Sequence, residues 1–174
     1  KEEFSFPAIY ENDRLWMSIC PNEIETMKDA INNAYGNVLV LGMGLGYYPY
    51  MISLKENVES ITIIEKSKEA IEIFEKLIYP QFKNKKVNVI NMDASEYIEN
   101  VDGKINYCFI DLWHDVSDGK DLYLNMKKYE EKYNNIKFDY WIEKTIKFYL
   151  EKGVNMKKVA LISLGCEKNL VDSE

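Results

Sequence analysis

Val38-Leu39-Val40-Leu41-Gly42-Met43-Gly44-Leu45-Gly46 is the stretch that decides the fold. Its four consecutive apolar residues predict a strand that is buried on both faces. The three alternate glycines predict a tight turn, because glycine adopts backbone conformations that other residues avoid. A helix is expected from Tyr47, with Pro49 in its first turn, where a missing N–H is tolerated. A strand, a glycine turn and a helix N-terminus together favour a nucleotide-type site.

The spacing of the glycines restricts the type of site. A dinucleotide site has the pattern Gly-x-Gly-x-x-Gly, whereas here Gly46 comes one residue early and Tyr47 occupies the expected place. A P-loop requires Gly-Lys-Ser/Thr after the turn, and this is absent. A glycine turn without any ligand remains the alternative at this point.

Length, charge and cysteine content exclude several classes of protein. The 174 residues suit one domain with a real core. A net charge of −7 argues against general nucleic-acid binding through the surface field. The cysteines at 20, 108 and 166 have no paired spacing, which favours a reducing compartment and gives no metal motif. Without a secretory signal or an apolar run that could span a bilayer, we expect a cytoplasmic protein.

Strand and helix patterns alternate four times in the first two thirds of the chain. The predicted strands are residues 38–41, 60–64, 87–90 and 105–110. This alternation predicts an α/β fold with a Rossmann-like, doubly wound, mostly parallel sheet. No good further strand follows, so the sheet is expected to be shortened or the chain cut.

The flanking segments are predicted to be helical. A capping box of Asn22 and Glu25 predicts a helix that stops at Gly36, and this helix either packs on the sheet or forms a pocket wall with residues 16–18. Asp118 is expected to cap a later helix. Apolar residues at 3.6 spacing over residues 138–149 predict a final amphipathic helix.

Acidic residues follow three of the predicted strands. Because ligands of parallel sheets bind at the carboxyl ends of the strands, these acids are candidate site residues. Glu65, after the second strand, suits the two hydroxyls of a ribose, although a solvated acid is the alternative. Asp93 follows the third strand and could instead cap the next helix. Asp111 follows the fourth.

The glycine turn, Glu65, Asp93 and Asp111, taken in this order, resemble the class I S-adenosylmethionine (SAM) dependent methyltransferases over residues 20–115. The resemblance implies that the Asp93 carboxylate and the Ala94 N–H bind adenine. It also implies that Asp111 faces the methionine end of SAM or the methyl acceptor. The residues expected to bind the cofactor are therefore Gly42, Met43, Gly44, Gly46, Glu65, Asp93, Ala94 and Asp111.

Asp111 and His114 are the candidate catalytic residues. His114 is the only histidine of the chain, and an imidazole exchanges protons near neutral pH, although a loop histidine is more often surface. Val40 lies two residues before the first glycine of the turn. The spermidine-synthase-like branch of this superfamily, which transfers aminopropyl groups, also has an apolar residue at that position, and the chain resembles that branch there. The stretch 111–115 does not match that branch's acidic pattern, which argues against polyamine synthesis.

Residues 156–174 resemble the start of the radical-SAM methylthiotransferases that modify a ribosomal protein. In that family the cysteine at the position of Cys166 is a ligand of an iron–sulfur cluster. Cys166 alone cannot hold a cluster here, because a single thiolate is insufficient. We therefore expect a methyltransferase-like domain over 1–155 and a truncated second domain over 156–174, either a true fusion or a neighbouring gene start.

The expected function is methyl transfer from SAM to a small-molecule or protein acceptor. Three alternatives stay open: a non-catalytic SAM-binding or partner module fused to a methylthiotransferase, an aminopropyltransferase-like enzyme, and an NAD-binding oxidoreductase. A direct displacement needs mainly the positioning of two reactants, so a dedicated base is not required. The sequence does not indicate an oligomeric state.

Overall fold

A five-stranded parallel sheet forms the centre of the fold. The computed structural model describes residues 5–11, 13–83, 86–101 and 104–152. The strands are β1 (Ala8–Glu11), β2 (Arg14–Ser18), β3 (Gly36–Leu41), β4 (Val58–Glu65), β5 (Lys86–Asn91), β6 (Tyr107–Ile110) and β7 (Lys137–Tyr140). The helices are α1 (Pro21–Asn33), α2 (Tyr47–Ser53), α3 (Lys68–Ile73), α4 (Ala94–Tyr97), α5 (Val116–Lys127), α6 (Tyr129–Lys132) and α7 (Glu143–Lys152).

The strand order in the sheet is β5-β4-β3-β6-β7, and all four pairings are parallel. From β3 the chain continues to β4 and β5 on one side of the sheet. It then returns to the other side of β3, where it forms β6 and β7. The order reverses between β3 and β6, and this switch point is where parallel sheets bind ligands. The predicted fold class, a Rossmann-like doubly wound sheet, is confirmed.

The apolar run in the second part of β3 supplies the middle of the core. Val38, Leu39, Val40 and Leu41 are all at most 1% exposed, as expected for a strand covered on both faces. Tyr48 of α2 stacks on Phe109 of β6 with ring centroids 3.9 Å apart, which fixes the helix after the glycine turn to the sheet.

The fifth strand of the sheet is a correction to the sequence prediction. Residues 138–149 do not form one helix, because residues 137–140 pair with β6 as β7. The helix α7 begins only at Glu143. Ile142, between them, has a φ of +48°, a conformation that a β-branched residue adopts only under strain. Pairing with β6 outweighs the helical periodicity of this segment.

The start of α1 also differs from the prediction. The helix begins at Pro21 behind the extended residue Cys20, and no side chain caps it. The capping box of Asn22 and Glu25 is wrong, because proline at the first helical position sets the start. Glu25 instead pairs with Lys28.

Two further boundaries are corrected. The helix α1 ends at Asn33, so Gly36 does not stop it but opens β3 with a φ of +63°. The cap of α5 is Asp115 rather than Asp118, which occupies the reciprocal position of the capping box. The cap expected at Asp93 is confirmed, since its side chain accepts the N–H of Ser95, and Ser67 caps α3 by accepting the N–H of Ala70.

The segment before α1 forms a β-hairpin. β1 and β2 pair antiparallel in a two-stranded sheet separate from the main one. The predicted second domain, residues 156–174 with Cys166, lies outside the described residues, as do residues 153–155. Of the helices in the described ranges, none is both long and apolar enough to cross a membrane.

Candidate functional site

A cavity of about 240 Å³ lies at the carboxyl ends of the central strands. Residues from the loops after β3, β4, β5 and β6 line it together. Eight of the nine site residues predicted from the sequence are among its lining residues: Gly42, Met43, Gly44, Glu65, Asp93, Ala94, Asp111 and His114. The ninth, Gly46, is not among them; it ends the turn, directly before α2.

The glycine turn follows β3 with all three glycines in the left-handed region. A Cβ on Gly42, at φ +87°, would lie 1.9 Å from the carbonyl oxygen of Asp111. A Cβ on Gly46, at φ +78°, would lie 2.8 Å from the Phe74 ring. Close packing within the protein therefore explains these two glycines without a ligand.

Gly44 is different from its two neighbours. Its φ is +53°, and a Cβ there would meet nothing within 4 Å. Because Gly44 also lines the cavity, the open space beside it belongs to the site. This is the point where a ligand can approach the backbone closely.

Glu65 ends β4 with its carboxylate inside the cavity wall. The residue is only 8% exposed. Its Oε2 accepts the N–H of Met43 at 3.1 Å, and its Oε1 accepts the N–H of Ser67 at 2.8 Å. Two backbone donors therefore fix the carboxylate while each oxygen keeps further acceptor capacity for a ligand hydroxyl.

Asp93 caps α4 as well as lining the cavity. Its Oδ1 accepts the N–H of Ser95 at 2.7 Å, and Ala94 beside it is buried. Capping and ligand binding are compatible, because a carboxylate has several acceptor sites. In this one conformation, Asp93 can cap α4 and bind a ligand in the cavity at the same time.

Asp111 is held at the end of β6 through its main chain. Its N–H donates to the carbonyl oxygen of Leu41 at 2.8 Å, and its own carbonyl oxygen lies against Gly42. The residue is half-buried at the cavity. The glycine turn and the Asp111 loop consequently support one another at the switch point between β3 and β6.

His114 lies at the rim of the cavity, before α5. Its Nδ1 is 3.0 Å from Oδ2 of Asp118, and its side chain is 56% exposed. The Asp118 carboxylate also accepts the N–H of His114. The imidazole is thus oriented by an acid, which is a geometry that proton transfer can use and that helix capping also explains.

Several cavity residues were not singled out by the sequence analysis. They come from α1, α5 and the position directly after β7, namely Glu23, Met27, Leu122 and Trp141. Glu23 resembled an ordinary acid in a helical first turn, and Trp141 resembled part of a helical apolar face. The expected wall segment before α1 is present, since Met17 and Ser18 line the cavity.

A buried tyrosine pair ties α1 to the sheet below the site. The Tyr48 hydroxyl donates to the carbonyl oxygen of Ala30, and the single O–H of Tyr107 is shared between that carbonyl oxygen and the Asp139 carboxylate. Burial is the main cause that raises the pKa of each phenol far above its ordinary value. Both hydroxyls therefore remain protonated donors.

The chain was compared with known proteins. No protein-family model matches it, and no curated protein matches it significantly. A conserved hypothetical protein of Streptococcus pyogenes is similar in structure, with a TM-score of 0.52, 16% sequence identity and coverage of 66% of this chain and 69% of that chain. This likeness shows the fold.

Other solved structures are similar with lower TM-scores. One is an S-adenosylmethionine-dependent methyltransferase of Clostridium acetobutylicum (TM-score 0.40, 17% identity, 67% of this chain, 46% of that chain). Another is a dimethyladenosine transferase of Plasmodium falciparum (TM-score 0.42, 18% identity, 64% of this chain, 38% of that chain). The chain therefore spans less than half the length of either protein.

Proposed function

We propose that this chain binds SAM in the cavity and positions an acceptor for transfer of the methyl group. The observation that carries the proposal is the meeting, in one cavity, of an open glycine position and strand-end carboxylates. Gly44 leaves space beside the backbone, and Glu65 is held by two N–H groups with acceptor capacity left over. When bound, SAM supplies an electrophilic methyl group.

The chain's own residues have distinct roles in this proposal. Glu65 binds the ribose hydroxyls, which need a fixed acceptor of this kind. Asp93 and the Ala94 N–H bind the adenine edge. Asp111, on the loop next to the glycine turn, faces the methionine end or the acceptor. His114 and Asp118 lie at the rim, where the imidazole can accept a proton from the acceptor.

The first experiment is calorimetric titration of the protein with S-adenosylhomocysteine, SAM, decarboxylated SAM and NADH. Binding of S-adenosylhomocysteine and SAM supports the proposal. A preference for decarboxylated SAM favours aminopropyl transfer instead, and binding of NADH alone favours an oxidoreductase. Binding of none of the four compounds refutes the proposal.

A variant of Asp93 separates ligand binding from helix capping. Serine is a good helix cap but is shorter than aspartate, so Asp93→Ser retains the cap and withdraws the carboxylate from the cavity. We expect unchanged stability and an affinity for S-adenosylhomocysteine lowered about tenfold or more. The matched control is Glu96→Gln, which changes an exposed acid of the same helix.

A further inference from the structure

The loop after β6 places an imidazole and an indole at the cavity. Trp113 and His114 are consecutive residues that both line it, shortly after Asp111. In the proposed function, on which this inference rests, Asp111 faces the methionine end of SAM or the acceptor. The methyl acceptor is therefore expected to bind beside Trp113 and His114.

Asp118 fixes the orientation and the tautomer of the His114 imidazole. Its Oδ1 accepts the N–H groups of His114 at 3.1 Å and of Asp115 at 3.0 Å, which holds the carboxylate in place within the capping box of α5. Its Oδ2 lies 3.0 Å from Nδ1 of His114. Because an ionised carboxylate only accepts hydrogen bonds, the neutral imidazole carries its proton on Nδ1 and a free lone pair on Nε2.

The Nε2 atom of His114 is free to act as a base. Among the residues that the structure describes, none forms a hydrogen bond or an ion pair with this nitrogen. The side chain is more than half exposed at the cavity rim, so a proton accepted there can pass to solvent. An oriented imidazole of this kind suits an acceptor that must lose a proton as the new bond forms.

Trp113 forms a fixed apolar wall next to this base. A Cβ on Gly119 of α5 would lie 2.8 Å from Cγ of the indole, so the glycine lets the helix backbone pack directly against the ring. Tyr123, one turn further along α5, meets the indole edge to face with ring centroids 6.4 Å apart. Leu112 and Leu122 also line the cavity. These side chains favour an acceptor with an apolar, planar body.

We propose that the methyl acceptor is a phenol, and that Nε2 of His114 accepts its hydroxyl proton. A lone pair of the phenol oxygen forms the new O–C bond to the methyl carbon of SAM. The C–S bond breaks, and its electron pair stays on sulfur. The hydroxyl proton moves to Nε2, and the resulting imidazolium, stabilised by the Asp118 carboxylate, releases it to solvent.

A phenol matches this base better than other acceptors do. An amine attacks as its free base and loses a proton only after the transfer, so it needs no base in the transition state. The pKa of a tyrosine-type phenol is about 10 and that of histidine about 6.5, a gap that proton transfer during bond formation can bridge. An aliphatic hydroxyl is a far weaker acid than a phenol and matches an imidazole less well.

The test compares p-cresol with benzyl alcohol and benzylamine as acceptors. The two oxygen compounds are isomers, so they differ in the acidity of the hydroxyl and not in size. Binding of S-adenosylhomocysteine is measured first by calorimetry, and transfer of a labelled methyl group from SAM to each probe is measured next. We expect p-cresol to be methylated at least about tenfold faster than either of the other two probes.

His114→Asn is the decisive variant, because its side-chain amide can still donate to Asp118 while Nε2 is removed. We expect kcat for p-cresol to fall about a hundredfold or more, with KM unchanged. The acceptor 4-nitrophenol is largely ionised at mildly alkaline pH and needs no base, so its methylation should continue at the wild-type rate. The control is Asp121→Asn, an exposed acid on α5, which leaves both rates unchanged.

Asp118 is a positioning residue, and its role can be read from the imidazole itself. His114 is the only histidine, so isotope labelling of histidine nitrogen in untagged protein gives a single imidazole in NMR spectra. We expect the proton on Nδ1 in the wild type. In Asp118→Asn the amide NH₂ faces Nδ1, so the proton moves to Nε2, and kcat for p-cresol falls about tenfold or more at unchanged KM.

Several outcomes overturn the inference while leaving the proposed function intact. They are absent methylation of p-cresol, equal methylation of benzyl alcohol or benzylamine, and an unchanged kcat for p-cresol in His114→Asn. An equal loss with 4-nitrophenol in that variant also does so, because it assigns His114 a role other than that of a base. A wild-type imidazole protonated on Nε2 alone contradicts the tautomer. Failure to bind S-adenosylhomocysteine refutes the proposed function itself, before any probe is added.

Discussion

The carboxylate of Glu65 accepts the backbone N–H of Met43 at 3.1 Å, joining the end of β4 to the glycine turn after β3. The same carboxylate accepts the N–H of Ser67 through its other oxygen. Glu65 thus holds the turn in shape and also faces the cavity. An acid at this position supports the site before any ligand enters it.

Replacing Glu65 is expected to affect both stability and binding. In Glu65→Gln the amide NH₂ faces one of the two backbone N–H groups, so one hydrogen bond is lost and a donor is left buried. We expect a loss of about 1–3 kcal/mol in the free energy of unfolding, measured with urea. Affinity for S-adenosylhomocysteine should fall about tenfold or more, measured by calorimetry.

The control for this change is Glu72→Gln, which alters an exposed acid of the neighbouring helix α3. It should change neither quantity. A Glu65→Gln protein that is destabilised but binds S-adenosylhomocysteine as well as the wild type would show that Glu65 only supports the turn.

The glycines of the turn should differ sharply on replacement by alanine. In Gly44→Ala the new methyl group enters open space, so the cost is the left-handed backbone alone, about 1–2 kcal/mol. The methyl group then occupies the site, and we expect weaker binding of S-adenosylhomocysteine. In Gly42→Ala the methyl group collides with the main chain of Asp111, so we expect a much larger loss of stability.

Thermal unfolding and calorimetry on the two alanine variants check this contrast. The central expectation concerns Gly44→Ala, which should remain folded while its affinity falls. Unchanged affinity in a folded Gly44→Ala protein would mean that ligands do not approach the backbone at this glycine.

The strained residue Ile142 predicts an unusual response to glycine. Ile142→Gly loses side-chain packing but removes the left-handed strain, worth about 1–2 kcal/mol. Ile71→Gly, in the regular helix α3, relieves no strain and adds a helix penalty of about 0.5 kcal/mol. We therefore expect Ile142→Gly to be the more stable variant by about 2 kcal/mol in urea unfolding. Equal losses would mean that no strain is stored at Ile142.

The Glu143 carboxylate should make stability depend on acid pH. Burial alone would raise its pKa, but hydrogen bonds from Lys147, Tyr123 and Lys127 outweigh burial and hold the pKa below its ordinary value. A depressed pKa means that the stabilisation is complete above the unfolded-state pKa, about 4.3, and disappears as the pH falls through the folded-state value. The group is about three-quarters buried.

The variant Glu143→Gln tests this pH dependence. We expect it to be less stable than the wild type by about 1–2 kcal/mol at neutral pH and equally stable in strong acid. Urea unfolding across the acid range gives the two curves, with Glu151→Gln on the same helix as the control. A difference that stays constant with pH would exclude ionisation of Glu143 as its cause.

Sequence patterns predict those parts of the fold that depend on residues close together in the chain. The apolar run of β3, the glycine turn and the strand-end acids are each recognisable from neighbouring residues alone. Because parallel strands align their carboxyl ends, the common location of Glu65, Asp93 and Asp111 follows from the alternation of strands and helices. Eight of the nine predicted site residues line one cavity because the carboxyl ends of parallel strands meet at one edge of the sheet.

The errors lie where distant contacts decide the local structure. Residues 137–140 contain too few positions to show a strand period, and Phe138 and Trp141 also fit the helix that follows them. Only pairing with β6 distinguishes the two structures. Glu23 was missed for a similar reason, because its burial depends on Ser18 and on how α1 lies over the sheet.

The residues that line the cavity come from chain segments far apart in sequence, from Met17 to Trp141. A bound molecule that contacts these segments acts as a non-covalent cross-link, because every local opening of the sheet's carboxyl edge must first break its contacts. Amide hydrogen exchange should therefore slow at the Gly42 and Asp111 N–H groups, which bridge neighbouring strands, when ligand is present. Slower exchange at these two amides therefore reports ligand binding, whatever the acceptor.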